Sequence, residues 1–183
     1  MADNQIKSKK RVKEHGEVFT NPREVKAMCN LVGNIIEVPE TSVLEPACGT
    51  GNFLVEILER KMKTACQNMI TTEEDRIRAV MAVASLYGVD IMEDNVKQTR
   101  DRLYGIATRF IMRHYMIQAY NDSTLLKTLL DIDEIISKNI QQGDFLKDNI
   151  EFRFWRYGVC PDFGIKLFSD KTTKEEMMIL NNK

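Results

Sequence analysis

Three acidic residues, Glu45, Asp90 and Asp144, each follow or close a short apolar run. In an open parallel sheet the carboxyl ends of neighbouring strands lie side by side on one edge, where ligands collect. Carboxylates brought to one crevice suit a ligand rich in hydroxyl and amino donors. Asp90 is placed to accept from both hydroxyls of a ribose, with Ile91 as an apolar wall for an adenine ring. Asp144, with Phe145 beside it, is placed to accept from the amino group of that ring, and Glu45 to orient a cationic amino group. Any one of these acids alone reads equally well as a solvated loop residue or a helix cap. Their joint placement at three strand ends carries the inference.

The first acid lies in the stretch Val43-Leu44-Glu45-Pro46-Ala47-Cys48-Gly49-Thr50-Gly51-Asn52-Phe53-Leu54, which reads as a buried strand, a glycine-bearing loop and the start of a helix. Gly49 and Gly51 remove the side chains that would keep a cofactor off the backbone. A dinucleotide fingerprint needs a third glycine where this chain has Leu54, so a phosphate-cradling loop is disfavoured.

The elements that must position these residues follow from the apolar periodicity. Asn21, Pro22 and Glu24 mark a helix start, and Val25, Met28, Cys29, Val32, Ile35 and Ile36 form an apolar stripe predicted to pack on the sheet. Strands are predicted over 41–44, 86–91 and 139–142. Between them lie helices from Phe53 to about Thr64, from a cap at Thr72, from Glu93 to about Tyr120 with a bend at Gly105, and over 123–138. The alternation implies an α/β fold, a parallel sheet flanked by helices with right-handed crossovers. After Asp144, Phe152, Phe154, Trp155, Tyr157 and Phe163 crowd together and suggest a hairpin; its aromatics read as core sooner than as a platform for a base. The organisation expected is a basic arm over 1–15, a ligand-binding domain over 16–149, and a carboxyl-terminal hairpin and tail of the same domain over 150–183.

With 183 residues, 43% of them hydrophobic, the chain suits one domain with a real core. Lysine and arginine total 26 against 27 aspartate and glutamate, which gives no general attraction to a nucleic-acid backbone. Local patches remain. Five of the seven positions over 7–13 are basic, read as a solvated terminus or as an arm on phosphate, and the arginines of the long helix read as a solvated face. Four scattered cysteines and two histidines argue against a metal site or a disulfide framework. With no signal-like or membrane-length apolar run, the reading is a soluble, cytoplasmic protein.

The residues 43–54, together with Gly16-Glu17-Val18-Phe19-Thr20, Tyr87-Gly88-Val89-Asp90-Ile91 and Gln142-Gly143-Asp144-Phe145-Leu146, resemble the motifs of S-adenosylmethionine-dependent, adenine-specific (N6) DNA methyltransferases of restriction-modification systems. They occur in family order over 16–146 and correspond to the amino-terminal, cofactor-binding part. The resemblance implies a Rossmann-like class I methyltransferase fold, incomplete if it stops at three strands, with S-adenosylmethionine as cofactor and DNA as substrate. It implies that Phe19 and Thr20 cover the cofactor, and that Glu45, Pro46, Ala47, Gly49, Gly51, Asn52, Phe53, Asp90, Ile91, Asp144 and Phe145 bind it.

Two departures stand out. The proline that the family has at Asn21 comes one residue later, and the Asn/Asp-Pro-Pro-aromatic motif that holds the flipped adenine is absent: there are four prolines and no Pro-Pro. The nearest substitute is Cys160-Pro161-Asp162-Phe163, which makes Cys160, Asp162 and Phe163 weak catalytic candidates. The first strand's outer edge also lacks a partner unless residues 150–168 or another chain cover it. The expected role is a cofactor-binding protein of this family. The alternatives are a silent module or partner subunit of a split methyltransferase, and a non-enzymatic interaction protein. DNA would be reached through a companion methyltransferase or specificity subunit, a second copy, or local basic patches.

Overall fold

The computed structural model describes residues 5–66, 73–114, 122–160, 164–173 and 176. The hydroxyl of Ser8 accepts from the backbone N–H of Arg11, and Gly16 closes the far end, so the basic stretch folds as a short helix, α1 (Lys9–His15). Asn21 caps α2 (Pro22–Val32) by accepting from Arg23 N–H at 2.9 Å. Gly33 ends that helix and a 3-10 turn follows (Asn34–Glu37). The apolar stripe read as one helix face is therefore split. Val25, Cys29 and Ile36 are buried, whereas Met28, Val32 and Ile35 are exposed, and Leu31 beside them is 88% exposed. This helix packs on α3 (Asn52–Ala65), not on the sheet.

Strands β1 (Val43–Glu45), β2 (Leu86–Asp90) and β3 (Ile140–Gln142) form a parallel sheet in the order β1-β2-β3, with Leu44 opposite Tyr87 and Val89 opposite Gln141. Helices α3 and α4 (Glu73–Ala84) connect the first pair, α5 (Glu93–His114) and α6 (Asp122–Asn139) the second. Each strand is displaced or shortened slightly from its expected range, so that Glu45 lies within β1 rather than after it. The predicted cap at Thr72 and the last residues of the long helix lie outside the described residues. The helix α5 passes through Gly105 unbroken.

The main core gathers side chains from α2 to α6 against Leu86 and Ile140. Tyr87 and Val89, which alternate with Leu86 along β2, point to the other face and pack on Ile150 and Phe152. Helices thus cover one face of the sheet, and the chain leaving β3 covers the other. The expected hairpin is β4 (Glu151–Cys160) paired antiparallel with β5 (Gly164–Thr173). Trp155, 4% exposed, donates its indole N–H to Asn139 Oδ1 at 2.8 Å and joins the main core. Its place there overturns the base-stacking alternative for Trp155. The hairpin is a separate sheet, and among the described residues no strand pairs with the outer edge of β1. No described helix is long and apolar enough to cross a membrane.

Candidate functional site

The loop after β1 is held from three sides. Cys48 N–H donates to Val89 O at 2.8 Å, which carries the β1–β2 pairing past the end of β1. Gly51 N–H donates to Cys48 O at 2.8 Å, and Thr99 of α5 donates its hydroxyl to Gly49 O at 3.0 Å. Gly51 adopts φ 80°, and a Cβ there would lie 2.7 Å from Thr99 Cγ2. A Cβ on Gly49 would lie 3.3 Å from the Phe19 ring, so the segment 16–20 rests directly on the loop backbone.

Asp90 closes the arrangement. Its Oδ2 accepts from Gly49 N–H at 2.8 Å, and its Oδ1 from Met92 N–H at 2.9 Å and Asn95 Nδ2 at 3.0 Å. Gly143 N–H donates to Asp90 O at 3.0 Å and brings the end of β3 alongside. The Asp144 carboxylate accepts from the Lys147 ammonium at 2.9 Å, and more weakly from Leu146 N–H at 3.0 Å, which together hold it below the usual carboxylate range. Burial pushes the Glu45 carboxyl up, against the N–H of Ala47. Cys48 is buried and pushed up to about 12 by desolvation and the neighbouring acids, which leaves its thiol inert at neutral pH.

These contacts shape a cavity of about 420 Å³ at the strand ends. Phe19, Pro46, Ala47, Gly49, Asp90, Ile91, Asp144 and Phe145 all line it. Thr20 and Asn52 instead line a neighbouring pocket of about 330 Å³ that shares Phe19, with Arg102 and Lys7 in its wall. Asn52 Nδ2 donates to Thr20 O at 3.0 Å, and Arg102 donates to Asn52 Oδ1 at 2.9 Å. Glu45, Gly51 and Phe53 line neither pocket: Gly51 is the residue that caps the start of α3, and Phe53 packs against the core. Cys160 is the last residue of β4, while Asp162 and Phe163 lie outside the described residues.

Some functional contacts escaped the sequence reading. Glu17 and Asn95 line the larger cavity. Asn95 Nδ2 donates to Glu17 Oε1 at 2.8 Å, and Arg11 donates to the same oxygen at 2.7 Å. Lys7 and Arg11 also pair with Asp94 at 2.8 and 2.7 Å, which fastens the segment around α1 to the start of α5. Nor do the arginines of α5 form a simple solvated face. Arg100 donates to Ser137 O and Ile140 O, and Arg102 to Thr50 O. The acid in Gly16-Glu17 was visible as a residue type, but Asn95 carried no signal at all.

A family model described as N-6 DNA methylase matches residues 5–140. No curated protein and no solved structure matches the chain.

Proposed function

The chain belongs to the N-6 DNA methylase family, and we propose that its strand-end cavity binds S-adenosylmethionine for methyl transfer to the amino group of adenine in DNA. One observation carries this reading: Phe19, Gly49, Asp90 and Asp144, from four separate stretches of sequence, share a single cavity. Its volume lies in the range of about 300–1,000 Å³ usual for small-molecule sites. The acceptor set also fits. Asp90 offers a carboxylate to ribose hydroxyls, and Ile91, 46% exposed, offers an apolar surface to a flat ring near Phe145. Asp144 sits beside them, with its Lys147 partner itself exposed and free to move aside for an amino donor. The close seat of Phe19 on Gly49 lets a ligand meet the loop backbone under an aromatic cover.

Bound S-adenosylmethionine would supply an electrophilic methyl group on sulfonium. The residues of this chain would hold and orient it, which is the larger part of catalysis in a direct transfer of this kind. Holding the target amino group is a separate task, and no Pro-Pro motif for it stands in these 183 residues. A second reading follows, in which the chain is the cofactor-binding module of an assembly whose transfer motif and DNA-reading surface come from another segment or subunit. The outer edge of β1, which no described strand pairs, favours it, since a partner strand would cover it, and the exposed Leu31, Val32 and Ile35 offer an apolar surface to a partner.

Calorimetric titration of the chain with S-adenosylmethionine tests the first reading, with Asp90→Ala as the control. Saturable binding that the substitution abolishes is the expected result; no binding by the unaltered chain would overturn it. A methylation assay on adenine-containing duplex separates the two readings. Binding without transfer assigns the chain to the module.

A further inference from the structure

Asp90 is nearly saturated before any ligand arrives. A carboxylate offers about four acceptor positions. Met92 N–H and Asn95 Nδ2 fill both on Oδ1, and Gly49 N–H takes one of the two on Oδ2. One position remains, whereas a ribose diol presents two donors.

A second carboxylate stands in the same wall. The Glu17 side chain is 8% exposed and lines the cavity. Its Oε1 accepts from Arg11 Nη2 at 2.7 Å and Asn95 Nδ2 at 2.8 Å, and its Oε2 has no hydrogen-bond partner among the described residues. A buried carboxylate oxygen without a donor is costly, and this one belongs to a side chain that lines the cavity, so a small turn of the enclosed carboxylate would bring it to a donor supplied by the ligand. The spacing is set by one group. Asn95 Nδ2 reaches Glu17 Oε1 on one side and Asp90 Oδ1, at 3.0 Å, on the other. Arg11 balances the charge of Glu17 through their ion pair. The orphan Nε of Arg11 lies on the same ion pair and is the rival partner for Oε2.

We propose that Glu17 and Asp90 divide the ribose diol between them, Oε2 of Glu17 accepting one hydroxyl and Oδ2 of Asp90 the other. The inference rests on the S-adenosylmethionine reading of the cavity. It makes the segment 16–20 part of the ribose site as well as its cover.

The test is titration of the full chain with S-adenosylmethionine and with its 2′-deoxy and 3′-deoxy counterparts. Glu17→Gln keeps the side-chain length and an oxygen for Arg11 and Asn95, but turns the orphan acceptor into an amide nitrogen. The expected result is a loss of about tenfold in affinity for the intact cofactor, and no loss for the deoxy counterpart that lacks the hydroxyl held by Glu17. Glu17→Asp keeps the charge, withdraws the oxygens by one methylene, and gives the same selective loss if the amide variant folds poorly. An equal loss for all three ligands, or none, would overturn the proposal and leave Glu17 as the partner of Arg11 alone. Failure of the unaltered chain to bind the intact cofactor would instead overturn the underlying reading, and this inference with it.

Discussion

The backbone N–H of Gly49 donates to Oδ2 of Asp90 across 2.8 Å, tying the loop after β1 to the end of β2. The residue proposed to meet the ligand therefore also builds the loop. Asp90→Ala strips the acceptor from Gly49 and Met92 N–H and one acceptor from Asn95, at about 1–3 kcal/mol for each donor left buried and unpaired. The expected outcome is a lower urea midpoint together with loss of S-adenosylmethionine binding. Unchanged stability would show that the loop holds its shape without this bond.

Gly51 depends on Thr99 in a different way. Gly51→Ala would set a Cβ 2.7 Å from Thr99 Cγ2 at φ 80°, adding a steric clash to a left-handed backbone. We expect a destabilisation of about 2–3 kcal/mol by denaturant unfolding. Thr99→Ala in the same chain relieves the clash but not the backbone strain, so the double variant should recover part of the loss. Full recovery would assign the whole effect to Thr99, and no recovery would assign it to the backbone.

How much of this was legible depended on where the determining contact lies. Asp90, Asp144 and Gly49 are residue types whose spacing relative to apolar runs is itself the signal, and the parallel pairing follows from the alternation of those runs with helices. The helix α1 gave no such signal, because it has no apolar stripe and is held by Lys7 and Arg11 on Asp94, more than eighty residues away. Periodicity showed the stripe of α2 but not that Gly33 would end the helix and leave Ile35 outside. Nor can it separate a solvated arginine from Arg100, whose acceptors are carbonyls at the end of α6 and the start of β3.

The docking of α1 should be sensitive to acid and salt. The hydrogen bonds from Arg11 and Lys7 hold the Asp94 carboxyl well below its ordinary value of 3.8. A carboxyl lowered in the folded state stabilises it above the unfolded value, and that stabilisation is lost as pH falls below about 4. Asp94 is half exposed, so salt weakens the contact as well. Hydrogen-exchange protection over 9–15, corrected for the intrinsic rate at each pH, should fall in acid, or in high salt at neutral pH, while α3 stays protected. Asp94→Asn should show the fast exchange at neutral pH. Exchange of 9–15 in step with α3 under all conditions would mean that α1 opens only with the whole fold.

Lys61 gives a prediction of opposite sign. It is 0% exposed, and its ammonium donates to Val38 O and Thr41 O, each at 2.6 Å, in the turn that leads into β1. Burial pushes it down from 10.5 to about 8, against the attraction of Glu40. Between those two values the unfolded chain binds more protons than the folded one, so stability rises with pH across the window and is flat below it. The full rise is about 3 kcal/mol if burial governs. Urea unfolding of the unaltered chain from about pH 7 to about pH 10 should reveal the rise, and Lys61→Met should lack it, because methionine has nothing to titrate. Parallel curves for the two proteins would mean that the carbonyls hold the ammonium charged as firmly as water does. Lys61 would then be a clasp on the entry to β1 that works equally at every pH in the range, and a strand that no described strand pairs on its outer side would owe its position to those hydrogen bonds.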